Sequence, residues 1–159
     1  MKYALFLNTE SDSTSAERLM DYLQGRLRKI ADMRNITNIL AEDLDFKQEL
    51  RHCDCVLLIA SRQASSLIQG RQQERQGEFI TFDGKFIHDE LTGNKELVKE
   101  RLIIVHFTER TKNDWIPTGF DDKRIFHVED GKVPPNGTPT LVHLEYRMKK
   151  ILLGDDFSF

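Results

Sequence analysis

The 159-residue sequence lacks the glycine-rich motifs with which many nucleotide-binding domains hold phosphate. It contains neither G-x-G-x-x-G nor G-x-x-x-x-G-K-[ST], so neither a Rossmann dinucleotide fingerprint nor a P-loop is present. It also lacks H-E-x-x-H and G-x-S-x-G, so neither the zinc-binding motif of metalloproteases nor the nucleophile elbow of α/β-hydrolases is present. No apolar run approaches the roughly 20 residues that cross a bilayer. The net charge of −3 argues against a nucleic-acid partner. We therefore expect no nucleic-acid binding and no membrane insertion by this segment.

Cysteine is scarce, and its two copies do not suit a disulfide or a metal site. Cys53 and Cys55 are one residue apart, so in a strand they would point to opposite faces. A structural zinc site needs about four ligands, and the His52-Cys53-Asp54-Cys55 cluster has no second half downstream. We predict two reduced, buried cysteines, no metal and no cofactor. Reduced thiols favour a cytoplasmic location.

Short apolar runs recur along the chain and predict five strands. The runs cover residues 3–8, 35–40, 55–60, 102–107 and 125–128. The run at 55–60 has no polar interruption, which is typical of a central strand buried on both faces.

Helical patterns alternate with these strands. Thr14 and Glu17 form a capping-box pattern before a long apolar stripe that ends at Ala31. Asp43 is a candidate cap for a helix over 44–52, and further helices are predicted over 64–69, over 84–92 and from Thr138 or Thr140 to Gly154. The alternation predicts an α/β fold, a flavodoxin-like or TIR-like three-layer sandwich with a five-stranded parallel sheet. We assign residues 1–153 to one domain and 154–159 to a flexible tail.

The stretch over residues 70–83 differs from the rest because it is rich in glutamine, arginine and glutamate. Long segments without a clear periodicity are often functional in compact domains. Its Phe79 and Phe82 either pack against the body of the domain or are available to a partner. A solvated loop without a role is the alternative.

Four segments in a characteristic order resemble a known signalling domain. They are residues 56–61 (VLLIAS), Phe86-Ile87-His88, residues 102–107 (LIIVHF) and Ile116-Pro117-Thr118. In this order they resemble the SEFIR domain, the TIR-like signalling module of the interleukin-17 receptors and their adaptor. The chain departs from that pattern because it lacks the tyrosine soon after the third strand and the proline inside the fourth.

The resemblance implies a protein–protein interaction module. SEFIR domains associate with another SEFIR or TIR-like domain in interleukin-17-type immune signalling, either as receptor tails or as adaptors. We place the contacts in two segments. The first is the 70–83 stretch, with Arg71, Arg75, Glu78, Phe79 and Phe82. The second, by analogy with TIR domains, is the loop after the second strand, with Glu42, Asp43 and Leu44.

Two alternatives stay open, and the first is a TIR-like NAD hydrolase or nucleotide-binding domain that uses Glu90. Some TIR domains hydrolyse NAD with a glutamate on the helix after the third strand, and Glu90, or less well Glu78, occupies the matching region. A carboxylate could stabilise positive charge on the ribose as nicotinamide leaves. However, no tryptophan precedes Glu90 as the family pattern requires. A small α/β enzyme outside this family is the other alternative.

Overall fold

A computed structural model describes residues 2–70, 83–135 and 137–154. Its sheet has five strands, all parallel, in the order β2-β1-β3-β4-β5. The strands are β1 (Lys2–Leu7), β2 (Ala31–Asn35), β3 (Cys55–Ile59), β4 (Leu102–His106) and β5 (Ile125–His127). Helices cover both faces of the sheet, so the predicted α/β class and the flavodoxin-like or TIR-like architecture are confirmed.

Seven α-helices and three 3₁₀ turns lie within the described residues. The α-helices are α1 (Ser13–Leu27), α2 (Ile36–Ala41), α3 (Phe46–His52), α4 (Arg62–Ile68), α5 (Gly84–Gly93), α6 (Lys95–Glu100) and α7 (Pro139–Leu153). The 3₁₀ turns are Glu10–Asp12, Asp122–Arg124 and Glu129–Gly131.

The sheet separates two apolar layers because successive strand residues point to opposite faces. On one side Phe6, Leu57 and Val105 pack with α1 and α7. On the other side their neighbours Leu58 and Ile104 pack with the helices α2 to α6. Every residue of β3 and β4 is buried, as the uninterrupted apolar runs predicted.

The second strand was predicted too late in the sequence. Residues 35–40 were expected to form it, but β2 ends at Asn35 and α2 follows at once. The Asn35 side chain accepts a hydrogen bond from the Asn38 N–H (2.8 Å), as a helix cap does. Ile36 and Ile39, three residues apart, are then both buried on one side of the helix.

Two predicted helix starts were also wrong. Helix α1 begins at Ser13 after the 3₁₀ turn, so Thr14 does not cap it. Helix α3 is capped by Asp45, whose carboxylate accepts from the Lys47 N–H (2.9 Å), and not by Asp43. Asp43 instead has a left-handed backbone with φ of +55°. The predicted cap at Thr138 is confirmed by its bond from the Leu141 N–H (3.2 Å).

Candidate functional site

The crevice at the carboxyl ends of β1 and β3 is the usual ligand site of a doubly wound sheet. Here polar side chains that follow β1 bind one another. The Thr9 hydroxyl, 1% exposed, donates to the Asp12 carboxylate (2.8 Å), and the Ser11 hydroxyl donates to the Gln63 side chain on α4. These side chains are therefore paired with one another within the protein.

A small pocket lies between the ends of β1 and β2. Phe6, Asn8, Glu17 and Asn35 are among its lining residues, and its volume is about 20 Å³. That is room for little more than one water molecule. This pocket cannot hold a nucleotide.

His106, the last residue of β4, and Asp114, in the segment that follows, bring two buried polar side chains together, and no sequence pattern indicated them. His106 is 2% exposed, and its Nδ1 is 3.9 Å from the Asp114 carboxylate. Burial lowers the pKa of His106, with the nearby Asp114 acting in the opposite direction, so the imidazole is neutral at pH 7. Its Nε2 has no hydrogen-bond partner among the described residues.

Hydrogen bonds in the same region hold the segment after β4 in place, and one of them connects it to α4. The Asp114 carboxylate accepts from the Thr111 N–H (2.7 Å), and the buried Ser65 hydroxyl accepts from the Trp115 N–H (3.0 Å). A pocket of about 310 Å³ opens beside Asp114. Sequence spacing gives no signal for this arrangement, because His106 ends an apolar strand and Asp114 belongs to a polar loop.

Glu90, the residue assigned to NAD cleavage, is held by an ion pair. Its carboxylate accepts from the Arg51 guanidinium at 2.7 Å (Nη2) and 3.1 Å (Nε). Arg51 is in the last turn of α3, four residues before β3 begins. The pair therefore lies towards the amino ends of the strands, opposite the crevice in which such sheets bind ligands.

The two cysteines lie on opposite sides of the sheet, as predicted. Cys55 belongs to the layer with α1 and α7, and Cys53 to the other layer. Both are free and buried. Burial raises the pKa of the Cys53 thiol to about 12 and also raises that of Cys55. Thiols with so little thiolate are poor nucleophiles.

The predicted contact residues Glu42, Asp43 and Leu44 form a fixed turn between α2 and α3, here called the acidic loop. The Leu44 N–H donates to the Ile39 carbonyl (2.9 Å), which closes the turn at the left-handed Asp43. Glu42 and Asp43 are exposed, whereas Leu44 is half-buried against the core. The turn therefore presents two carboxylates beside a partly covered apolar side chain.

A second surface, here called the basic groove, is formed by α5, α6 and the segment before β5. Its volume is about 650 Å³. Its apolar residues are Leu91, Val98, Pro117 and Phe120, its cations are Lys95, Lys99 and Arg124, and its one carboxylate is Asp121; Thr92, Thr118 and Gly119 complete the lining. Three cations against one carboxylate give the groove a formal charge of +2.

The first predicted contact segment lies outside the described residues. This holds for Arg71, Arg75, Glu78, Phe79 and Phe82, so their role stays a prediction. Asp83, where the described chain resumes, caps α5 by accepting from the Phe86 N–H (3.0 Å). The predicted tail, apart from Gly154, also lies outside the described residues.

Comparisons with known proteins identify no relative: no protein-family model matches the chain, and no curated protein or solved structure does. Over the described parts of the chain, no helix has the length and apolar character to span a membrane. Within those same parts, no group of three or more histidine, cysteine, aspartate or glutamate side chains is placed to hold a metal ion.

Proposed function

We propose that this chain is a cytoplasmic protein–protein interaction module that associates with another SEFIR or TIR-like domain in interleukin-17-type signalling, as a receptor tail or an adaptor. The observation that supports this proposal best is the acidic loop. It lies beside the outer strand β2 and directs Glu42 and Asp43 into solvent.

The form of the loop suits recognition of a protein surface. Its backbone is fixed by the bonds from the Glu42 N–H to Asn38 (3.1 Å) and from the Leu44 N–H to Ile39 (2.9 Å). A fixed loop loses little conformational entropy when it binds. Exposed charges at the rim of an interface speed encounter and set orientation, while nearby apolar surface provides contact area.

The cytoplasmic location is supported by the two thiols. Cys53 and Cys55 are unpaired, and free buried cysteines are typical of proteins in reducing compartments.

A binding experiment tests the proposal. The chain is immobilised and exposed to a differently tagged second copy, and in parallel to the SEFIR domain of an interleukin-17 receptor. We expect retention of at least one of them, and about tenfold weaker retention by Glu42→Lys/Asp43→Lys, because the contact then carries like charges.

The matched control is Glu17→Lys/Asp21→Lys, which reverses two exposed carboxylates on α1, on the other side of the sheet. Retention should be unchanged by it. Failure to retain either partner, or equal loss in both variants, would contradict the proposal. The 70–83 segment is tested in the same assay with Arg75→Glu/Phe82→Ala.

A further inference from the structure

The basic groove lies at one edge of the sheet, away from the acidic loop. Its helix α6 packs on β4, and its last residue, Arg124, directly precedes the outer strand β5. The acidic loop follows α2, which packs on β2 at the other edge. The four interstrand spacings between β2 and β5 amount to about 19 Å. The groove is therefore separate from the surface that supports the proposed function.

The floor of the groove is apolar and is fixed by the fold. Leu91 and Pro117 are buried. Val98 and Phe120 are half-buried. A turn holds Phe120 in place, because its N–H donates to the Pro117 carbonyl (3.1 Å) and Gly119 has φ of +75°. A positive φ at the third residue is what a type II turn requires. The apolar surface is thus formed by the protein alone.

Three cations line the same groove. Lys95 and Lys99 are four residues apart and therefore lie on the same side of α6. Both are exposed. The Arg124 guanidinium donates from Nη1 to the Val98 carbonyl (3.2 Å), which fixes it between α6 and the start of β5. None of the three cations forms an ion pair with another described residue. Their charges are therefore available to a ligand.

Arg124 has lost part of its contact with water. It is half-buried, and this burial lowers the pKa of its guanidinium, with the nearby Asp121 acting in the opposite direction. The Asp121 carboxylate is partly used in capping the next turn, where it accepts from the Lys123 N–H (2.9 Å). A partly desolvated charge is stabilised by an opposite charge close to it. With three cations and one carboxylate, the groove keeps a formal charge of +2 that an anion would offset.

The size and composition of the groove suit a small molecule. Its volume of about 650 Å³ falls in the range of roughly 300–1,000 Å³ that is typical of small-molecule sites. Such sites combine an apolar lining with a few polar groups that fix the orientation of the ligand. A purely ionic ligand would leave the apolar floor uncovered, and a purely apolar ligand would cover the cations without pairing them. A ligand that has both an apolar body and an anionic head satisfies both parts of the groove.

We infer that the basic groove binds a small organic anion with an apolar chain or ring. The anionic head lies among Lys95, Lys99 and Arg124, and the apolar body covers Val98 and Phe120. A medium-chain carboxylate is a simple member of this class. The inference goes beyond the proposed function and does not depend on it, because the groove and the acidic loop are different surfaces.

Titrations followed by the amide NMR spectrum of the full chain test the inference with three probes. Octanoate has both chain and charge, octan-1-ol has the chain alone, and acetate has the charge alone. We expect octanoate to shift the amides of Val98, Gly119 and Phe120 most and to saturate them. The other two probes should bind about tenfold more weakly or worse, since octan-1-ol loses the charge-assisted hydrogen bonds and acetate loses the buried methylene groups.

Charge reversal separates the contribution of the cations. Lys95→Glu/Lys99→Glu should weaken octanoate binding about tenfold and leave octan-1-ol binding unchanged, because only the electrostatic attraction is altered. The matched control Lys29→Glu/Lys112→Glu reverses two exposed lysines that do not line the groove, and it should bind octanoate like the wild type. The spectrum of each variant also shows whether it is folded.

The apolar floor is tested by Phe120→Ser. This variant should weaken octanoate and octan-1-ol by similar factors, because both probes lose the same apolar contact. Raising the salt concentration should weaken octanoate binding only, since the uncharged alcohol has no ionic contact to screen.

Four outcomes would overturn the inference. They are octanoate shifts that do not saturate, shifts that are largest outside the groove, octan-1-ol binding as tight as that of octanoate, and equal octanoate binding by the groove variant and the control. The proposed function is measured in the binding experiment with Glu42→Lys/Asp43→Lys, so failure of one claim leaves the other standing.

Discussion

The central strands β3 and β4 differ from the outer strands β2 and β5 in how completely the protein covers them. All residues of β3 and β4 are buried, while β2 alternates between buried and accessible positions and no residue of β5 is fully buried. Both candidate surfaces lie next to the outer strands. The centre of the sheet thus supplies stability, and its edges carry the surfaces that we assign to binding. Three experiments test this difference, in order of decreasing expected effect.

The first experiment compares Leu58→Ala in β3 with Ile125→Ala in β5. Leu58 is completely buried, and its loss should cost about 2–5 kcal/mol in the free energy of unfolding, because a cavity remains. Ile125 is half-buried, so its loss should cost roughly 1 kcal/mol. Urea denaturation measures both. Equal losses would remove the distinction between centre and edge.

The second experiment concerns the dependence of stability on pH at the end of β4. The pKa of His106 is lowered in the folded protein, so the unfolded chain binds the extra proton more readily. The stabilisation from keeping this histidine neutral is complete above its ordinary pKa of about 6.5 and is lost as the pH falls from there through the folded value.

His106→Gln should therefore flatten the fall in stability between about pH 7 and pH 5, compared with the wild type. Arg110, Asp114 and His127 face the same ring and set its charge environment. The exposed His143→Gln serves as the control. Denaturation at several pH values measures the effect. A curve for His106→Gln that runs parallel to the wild type would show that this histidine does not contribute.

The third experiment addresses Glu90 and its ion pair. Arg51 is about half-exposed and keeps its contact with water, so Glu90→Gln should lower the free energy of unfolding by less than Leu58→Ala does. We also expect no release of nicotinamide when the wild type is incubated with NAD. Turnover that disappears in Glu90→Gln would replace the interaction module with the NAD-hydrolase alternative.

The contrast between centre and edge also explains which parts of the fold could be predicted. Residues 55–60 and 102–107 predicted β3 and β4 correctly, because a strand that is covered on both faces has a continuous apolar sequence. The strand β2 was misplaced because Asp32 and Arg34 interrupt its apolar residues, as expected for a half-covered outer strand. Its pairing with β1, and not its composition, makes it a strand.

The candidate site was less predictable for a different reason. Glu42, Asp43 and Leu44 were named by analogy with TIR domains, and because they are consecutive this analogy needed only one loop. The basic groove draws its residues from three separate segments between Leu91 and Arg124. Helix α6 was not predicted, because Gly93 and Asn94 read as the end of a helix, whereas Asn94 also caps the next one through the Leu97 N–H (3.1 Å).

The placement of Cys53 and Cys55 allows local unfolding on each face of the sheet to be measured from the accessibility of a native thiol. The whole sequence has only these two thiols, and one is sealed in each apolar layer. A thiol reagent can reach either sulfur only after the helices over it have moved away. Keeping one cysteine at a time would therefore report, layer by layer, how often each face of the sheet is uncovered, without any added label.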